Sequence, residues 1–323
     1  MLGGGAGGPA GHSDPSPATI GAGAAVLAFD VGGTDIKSAL FDAEGHRRAL
    51  RRTPTPSGAR RTPPTIADEL ARLADLIRRE HPEAAPAAAG VLVPGIVDAE
   101  RGVGVYASNM GWRDAPIADL ARDALGLPVA FQHDVTAASW AEHRLGAARG
   151  ARDAVVLVIG TGIAGSLILG GRMHTAGGYA GEIGHSPVAD GPRCGCGALG
   201  CLEAVASASA IARRYAERTG EPLVPAEAVV RRAGEGDAVA AAVWDEALDA
   251  LTLALAQLTA VVAPETIVIG GGLSRAGDAL FVPLRARLDA RLSFHRRPAV
   301  VPAELGGDAG VMGAALLARE AAS

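Results

Sequence analysis

From Ala24 the chain runs apolar for the length of one strand, Ala-Ala-Val-Leu-Ala-Phe, and the run stops at Asp30. Beyond Gly32-Gly33-Thr34, the segment Ser38-Ala-Leu-Phe-Asp42 predicts a returning strand, and so a hairpin. Ile66, Leu70, Leu73, Leu76 and Ile77 recur at spacings of three and four, the stripe of an amphipathic helix. Ala87 to Val93 predicts a strand that enters a Pro94-Gly95 loop. A short strand at Val129-Ala-Phe131 ends at Gln132-His133-Asp134, and helical composition follows from Val135 to Leu145. A near-continuous apolar run, Val155 to Ile159, then meets Gly160-Thr161-Gly162, with a second strand, Ser166 to Leu169, behind it. One long helical region is predicted over roughly 227–262, then a strand at Thr266 to Ile269, a Gly270-Gly271-Gly272 turn and a terminal helix from Gly310. Apolar strand, glycine turn and returning strand thus occur once in each half, the outline of a duplication within an α/β fold.

Composition narrows the picture. A chain of 323 residues is long enough for two lobes around one cleft. The expected division is a disordered Gly/Pro-rich extension over 1–24, a smaller N-terminal α/β lobe over 25–133, and a larger lobe over 134–309. The helix over 310–323 is expected to rejoin the first lobe. Apolar residues make up 49% and charged residues 20%, which suits a soluble protein with a sizeable core. The net charge of −5, without a dense Lys/Arg block, argues against nucleic-acid or anionic-membrane partners. The best apolar run, Leu251 to Val262, contains Gln257 and is shorter than the roughly 18–20 residues of a membrane span. The first two dozen residues lack both a basic start and an apolar stretch, so no signal peptide is expected. All three cysteines lie between Cys194 and Cys201, a poor disulfide framework and a good metal site, consistent with a cytoplasmic location.

Gly160-Thr-Gly-Ile-Ala-Gly165 matches a dinucleotide fingerprint by letter, but that fingerprint must open a helix. Here strand-like residues follow, so a hairpin turn whose backbone N–H groups and Thr161 hydroxyl face phosphate oxygens is the better reading, with Gly162 allowing close approach. Asp30, Gly32, Gly33, Thr34 and Lys37 offer the same chemistry in the first hairpin, with Asp30 able to hold Mg²⁺ directly or through water. The Gly270-Gly271-Gly272 turn is a third phosphate candidate. Asp134, between strand and helix, suits a general base and equally suits an ordinary helix cap, and the residues alone leave both open. Cys194, Cys196 and Cys201 with His185 upstream form a set of four soft and imidazole ligands, which suits tetrahedral Zn²⁺ with no open position, hence a structural site. No G-x-S-x-G elbow is present, so hydrolase chemistry has no support.

The paired hairpins resemble the two-lobed actin-like ATPase and sugar-kinase fold, which is ribonuclease H-like and clamps a nucleotide between duplicated β-hairpin phosphate loops. Within that group the chain is similar to the ROK family (repressors, open reading frames, kinases) from about Val26 to its C-terminus. The resemblance rests on Asp30-Val-Gly-Gly-Thr-Asp-Ile-Lys37, Val93-Pro-Gly-Ile-Val-Asp98, Asn109-Met-Gly-Trp112, Gly181-Glu-Ile-Gly-His185, Cys194-Gly-Cys-Gly-Ala-Leu-Gly-Cys-Leu-Glu203 and Ile269-Gly-Gly-Gly-Leu-Ser274. It implies ATP-dependent phosphorylation of a hexose hydroxyl, glucose to glucose 6-phosphate, with Asp134 as the base. Gly95, Asn109, His133, Glu182, His185 and Glu203 are then the expected sugar contacts, and a homodimer or homotetramer is the expected assembly. Two departures stand out. His133 replaces the asparagine usual before the catalytic Asp, which bears on the choice of sugar, and the loop from His185 to Cys194 is a residue shorter than usual. The rival readings are a kinase for N-acetylmannosamine, N-acetylglucosamine or fructose, and a non-catalytic sugar-responsive regulator. The segment before Val26 is short, Gly/Pro-rich and free of Lys and Arg, so a DNA-reading helix-turn-helix is not expected there. Polyphosphate stands beside ATP as a donor to test.

Overall fold

A computed structural model describes residues 19–322, so most of the expected extension over 1–24 lies outside the described residues. Its last part, 19–24, runs beside the first sheet, where Ile20 is buried and donates its N–H to the Gly45 carbonyl.

The first half opens with an antiparallel meander of β1 (Val26–Val31), β2 (Asp35–Phe41) and β3 (Arg47–Pro54). Helix α1 (Pro63–Glu80) follows, its Thr62 hydroxyl accepting from Thr65 N and its predicted stripe buried at Ile66, Leu70, Leu73 and Ile77. Strand β4 (Ala88–Val93) is buried along its whole length and lies parallel to β1. A small antiparallel sheet of β5 (Ile96–Asp98), β6 (Val103–Ala107) and β7 (Trp112–Ala115) follows, then α2 (Ile117–Leu125). Strand β8 (Val129–His133) runs parallel to β4 and leads into α3 (Asp134–Leu145).

The second half repeats this plan. Strands β9 (Ala154–Ile159), β10 (Ile163–Leu169) and β11 (Arg172–His174) form the second meander. Helices α4 (Leu202–Ala206), α5 (Ala208–Thr219), α6 (Ala226–Gly234) and α7 (Ala238–Val262) precede β12 (Thr266–Gly270). Helix α8 (Asp278–Arg291), β13 (Ala299–Pro302) and α9 (Ala309–Ala321) complete the chain. The sheet orders are β3-β2-β1-β4-β8 and β11-β10-β9-β12-β13, each with three antiparallel strands followed by two parallel ones. The duplication read from two glycine turns therefore extends to the connectivity of both sheets.

The region expected as one helix over 227–262 is two. Gly236 has a φ of 97°, a left-handed conformation that ends α6, and the Asp237 carboxylate then caps α7 by accepting from Val239 N and Ala240 N.

Helix α9 crosses back to the first half, packing on β1, β4 and β8 and against α3. Gly90 of β4 and Gly313 of α9 make this close approach possible, since a methyl at either would overlap the Ala314 or Ala137 carbonyl. Among the described residues no helix is long and apolar enough to cross a membrane.

Candidate active site

The ends of the two meanders face one another across a cavity of about 590 Å³. Asp30, Lys37, Asp134, Gly270, Gly271 and Gly272, all singled out from the sequence, line it together. Strand β1 delivers Asp30 and β2 delivers Lys37 directly opposite it in register, so the two side chains meet with Nζ 3.5 Å from Oδ2. Lys37 Nζ also donates to the Gly307 carbonyl at 3.1 Å. Burial pushes the Asp30 carboxyl above its ordinary value, Lys37 opposes that shift, and the nearby Asp134 charge adds to it. The first turn of α9 lies against this carboxylate, and a methyl at Gly310 would come within 2.7 Å of Asp30 Oδ2. Gly271 has a φ of 81°, and its bare Cα faces the Ile159 backbone, so the third glycine turn folds onto the end of β9.

Asp134 is the first residue of α3, and His133, with extended backbone, is the N-cap. From that first helical position Oδ1 accepts from Val135 N, the second helical N–H, at 2.7 Å, and lies 3.0 Å from His133 Nε2. Asp134 is about one-third exposed, open to the cavity.

The other sequence candidates do not line this cavity and fall into smaller groups. His133 and Glu182 line a small cavity of about 20 Å³ beside Asp134. Asn109, between β6 and β7, faces the first glycine turn, where its Nδ2 limits the space at Gly33. Gly95 has a φ of 99° and packs against the Tyr106 carbonyl, fixing the loop between β4 and β5. Glu203 of α4 reaches the second glycine turn: Oε2 accepts from Ile163 N at 2.8 Å and fills the space at Gly162. Gly32 N donates to Asp35 O and Gly160 N to Gly162 O, closing the two hairpin turns, with Thr34 and Thr161 exposed at their tips. Gly165 lies within β10, its N–H donating to the Gly181 carbonyl, and opens no helix, so the fingerprint match carries no dinucleotide site.

His185, Cys194, Cys196 and Cys201 present four ligand atoms within 4.8 Å of one another. Cys194 Sγ lies 3.6 Å from His185 Nδ1, and Cys196 Sγ lies 3.7 Å from Cys201 Sγ. Tetrahedral zinc with ordinary bond lengths requires about 3.6 Å between N and S and about 3.8 Å between two S atoms, so these two pairs already stand at the spacing that metal requires. The remaining ring nitrogen of His185, Nε2, points to Glu182 Oε2 at 3.8 Å.

Three groups of the site escaped the sequence reading. Arg61 donates to the Gly33 carbonyl at 2.8 Å and to the Asn109 carbonyl at 2.5 Å, tying the first glycine turn to the Asn109 loop. Arg275 lines the main cavity and also an adjoining apolar cavity of about 460 Å³ between α6 and the segment after β12, with Gly272 common to both. Glu142 of α3, 2% exposed, accepts from Leu305 N at 2.8 Å, Ala147 N at 2.9 Å and Glu304 N at 3.2 Å. It thereby holds the loop that carries Gly306 and Gly307 into the cavity wall. Glu142→Gln is expected to lower stability by about 2–3 kcal/mol, because an amide must turn an N–H toward buried donors. The Michaelis constant for nucleotide should rise more than that for sugar; denaturant titration and steady-state kinetics check the two effects.

A model of the ROK family matches residues 26–321. The glucokinase of Streptomyces coelicolor is 32% identical over 315 residues, covering 91% of this chain and 97% of that protein. An N-acetylmannosamine kinase of Escherichia fergusonii is 33% identical over 298 residues, covering 91% and 98%. Among solved structures, a ROK family glucokinase from Streptomyces griseus in complex with glucose and AMPPNP matches with a TM-score of 0.73 and 31% identity, covering 92% of this chain and 99% of that one.

Proposed function

The chain belongs to the ROK family and is a hexose kinase, and from that premise we propose that it transfers the γ-phosphoryl group of ATP to the 6-hydroxyl of glucose, with Asp134 as general base. Its fold is the actin-like sugar-kinase fold. The observation that carries the proposal is the convergence of Asp134, Asp30, Lys37 and the Gly270–Gly272 turn on one cavity between the two meanders.

Phosphoryl transfer needs positioning and charge stabilisation more than covalent help from the protein. Backbone N–H groups of the three glycine turns supply donors for phosphate oxygens, and Lys37 supplies a cation. The apolar cavity reached past Gly272 and Arg275 suits the nucleotide base, which then lies beyond the phosphates as seen from Asp134. Asp30 is a hard oxygen ligand placed to bind Mg²⁺ directly or through water, and the metal, when bound, neutralises charge on the transferring phosphate. Glu182, His185, Asn109 and Glu203 carry donors and acceptors matched to sugar hydroxyls, each of which both donates and accepts. The Cys₃His set holds zinc in a structural role and orients His185 toward the sugar through Nε2. The smaller lobe, on this reading, comprises 25–133 with 310–323 returned to it.

A coupled ADP-release assay tests the choice of substrate. Glucose should give the highest kcat/KM among glucose, mannose, fructose, glucosamine and the N-acetylhexosamines, with ATP the better donor than polyphosphate. Preference for N-acetylmannosamine, the substrate named for the Escherichia relative, would overturn the glucose assignment and leave the hexose kinase intact.

A further inference from the structure

We propose that Arg275 is a positioning residue for the phosphoryl donor, its guanidinium gripping the α-phosphate of ATP where the nucleotide passes from the apolar cavity to the glycine turns. This rests on the reading of that cavity as the seat of the base.

Two cavities meet at one short turn. The main one, about 590 Å³, holds Asp30, Lys37, Asp134 and Gly270–Gly272. The apolar one, about 460 Å³, is walled by Ala226 and Val230 of α6 and by Ala279 of α8. Gly272 and Arg275 line both, so they mark the passage between them. They stand on a single 3₁₀ turn, Gly272–Ala276, which Leu273 anchors in the large core of the second half. A methyl at Gly272 would stand 3.6 Å from Arg275 Nη2, so the guanidinium lies beside the bare Cα of that glycine. A nucleotide with its base in the apolar cavity and its γ-phosphate at Asp134 must set its ribose and α-phosphate in this passage.

The protein itself leaves the Arg275 guanidinium unpartnered. Among the described residues no hydrogen bond or ion pair reaches it. The polar groups around it are otherwise engaged or stand apart. Ser274 Oγ donates to the Gly271 carbonyl at 2.8 Å. Lys37, the other cation of the main cavity, is held between Asp30 and the Gly307 carbonyl. In the apolar cavity Arg231 pairs with Glu235, and Glu227 makes no ion pair with Arg275. A guanidinium stays charged at any working pH, and its planar fork matches two oxygens of one phosphate. Arg275 thus brings a cation without a counter-ion to the point where an anion must pass, and the α-phosphate supplies the missing charge. That phosphate does not react, so the grip is equal in the ground state and the transition state. Such uniform binding lowers KM for the donor and leaves kcat unchanged.

The test compares Arg275→Gln and Arg275→Lys with the wild type in steady-state kinetics, with ADP, AMP and adenosine as inhibitors competing with ATP. Arg275→Gln should raise the KM for ATP about tenfold, with kcat within about twofold and the KM for sugar unchanged. The inhibition constants of ADP and AMP should rise by a similar factor, while that of adenosine, which has no phosphate, stays the same. Arg275→Lys should recover part of the loss, since it keeps the charge and loses the fork. A turn merely disturbed by the substitution would weaken adenosine as well and lower kcat. Unchanged constants for ADP and AMP, or an equal loss for adenosine, overturn the proposal. Ala279→Phe, which fills the apolar cavity, separates the two readings. It should weaken ATP, AMP and adenosine alike. If it weakens none of them, the base lies elsewhere and the proposal falls with that reading; if it weakens all three while Arg275→Gln changes nothing, only the role of Arg275 fails.

Discussion

Replacing Asp134 with asparagine should lower kcat by roughly 10²–10⁴, the span usual for a positioned acid–base group. The geometry says why the loss should be confined to chemistry. Oδ1 is held by the Val135 N–H, so the amide introduced by Asp134→Asn must turn its oxygen into that position. The NH₂ group then occupies the place of Oδ2, where it can donate to the sugar oxygen but cannot receive its proton. Sugar affinity should weaken only modestly, and nucleotide affinity should hold, because Lys37 and the glycine turns are untouched. Loss of kcat without loss of binding is the mark of an interaction made chiefly in the transition state. Single-turnover kinetics beside calorimetric titration with sugar distinguishes the outcomes. A folded Asp134→Asn variant with near-normal turnover would mean that the carboxylate merely starts α3, and the base would have to be sought elsewhere.

How far the sequence revealed this site depends on the range over which each contact acts. The glycine turns and the strands around them are local, and they were readable because strand, turn and strand follow within a few residues. The four candidate zinc ligands were readable for the same reason, since three lie within eight positions. Glu142 was not, because its value comes from N–H groups at Glu304 and Leu305, 162 and 163 positions away. Lys37 was singled out, yet its partner Gly307, 270 positions distant, was invisible. Gly310 was seen as a helix start, whereas its second role, leaving room for Asp30, needs the fold. The break between α6 and α7 was within reach: Gly236-Asp237 is a helix stop followed by an N-cap, masked by the surrounding alanine-rich composition. The three short strands that carry Gly95 and Asn109 into place, three to five residues each, give too little periodicity to stand out.

Purified protein should carry about one zinc per chain without added metal, and its removal should raise the KM for sugar by about 10–100-fold while the bulk of the protein stays folded. The fold argues for both halves of that expectation. Cys194, Cys201 and Ala204 form a small buried cluster of their own, while the large core of the second half is built from other side chains. Structural zinc can contribute on the order of 10 kcal/mol where a small domain depends on it, but here the four candidate ligands lie in a loop attached to an independent core. That loop leads straight to the site. Cys201 is the N-cap of α4, Leu202 N donates to Ser186 O, and Glu203 one residue on holds Ile163 N beside the second glycine turn. His185 meanwhile joins the cluster through Nδ1 and faces Glu182 through Nε2. Losing the metal should thus loosen His185 and Glu203 together, and Cys201→Ser should reproduce the effect of a chelator. Retention should also weaken as pH falls. Burial pushes the free Cys201 thiol up to about 12, so zinc must displace its proton, and each drop in pH favours the protonated, metal-free form. The Ala198 backbone N–H holds the exposed Cys196 thiol below its ordinary value, which makes Cys196 the easier thiolate to form. Elemental analysis, with zinc release followed at pH 8 and pH 5.5, measures these effects. Zinc-free protein that binds sugar with full affinity would show that the four residues fold the loop unaided, and the link from metal to sugar pocket would be lost.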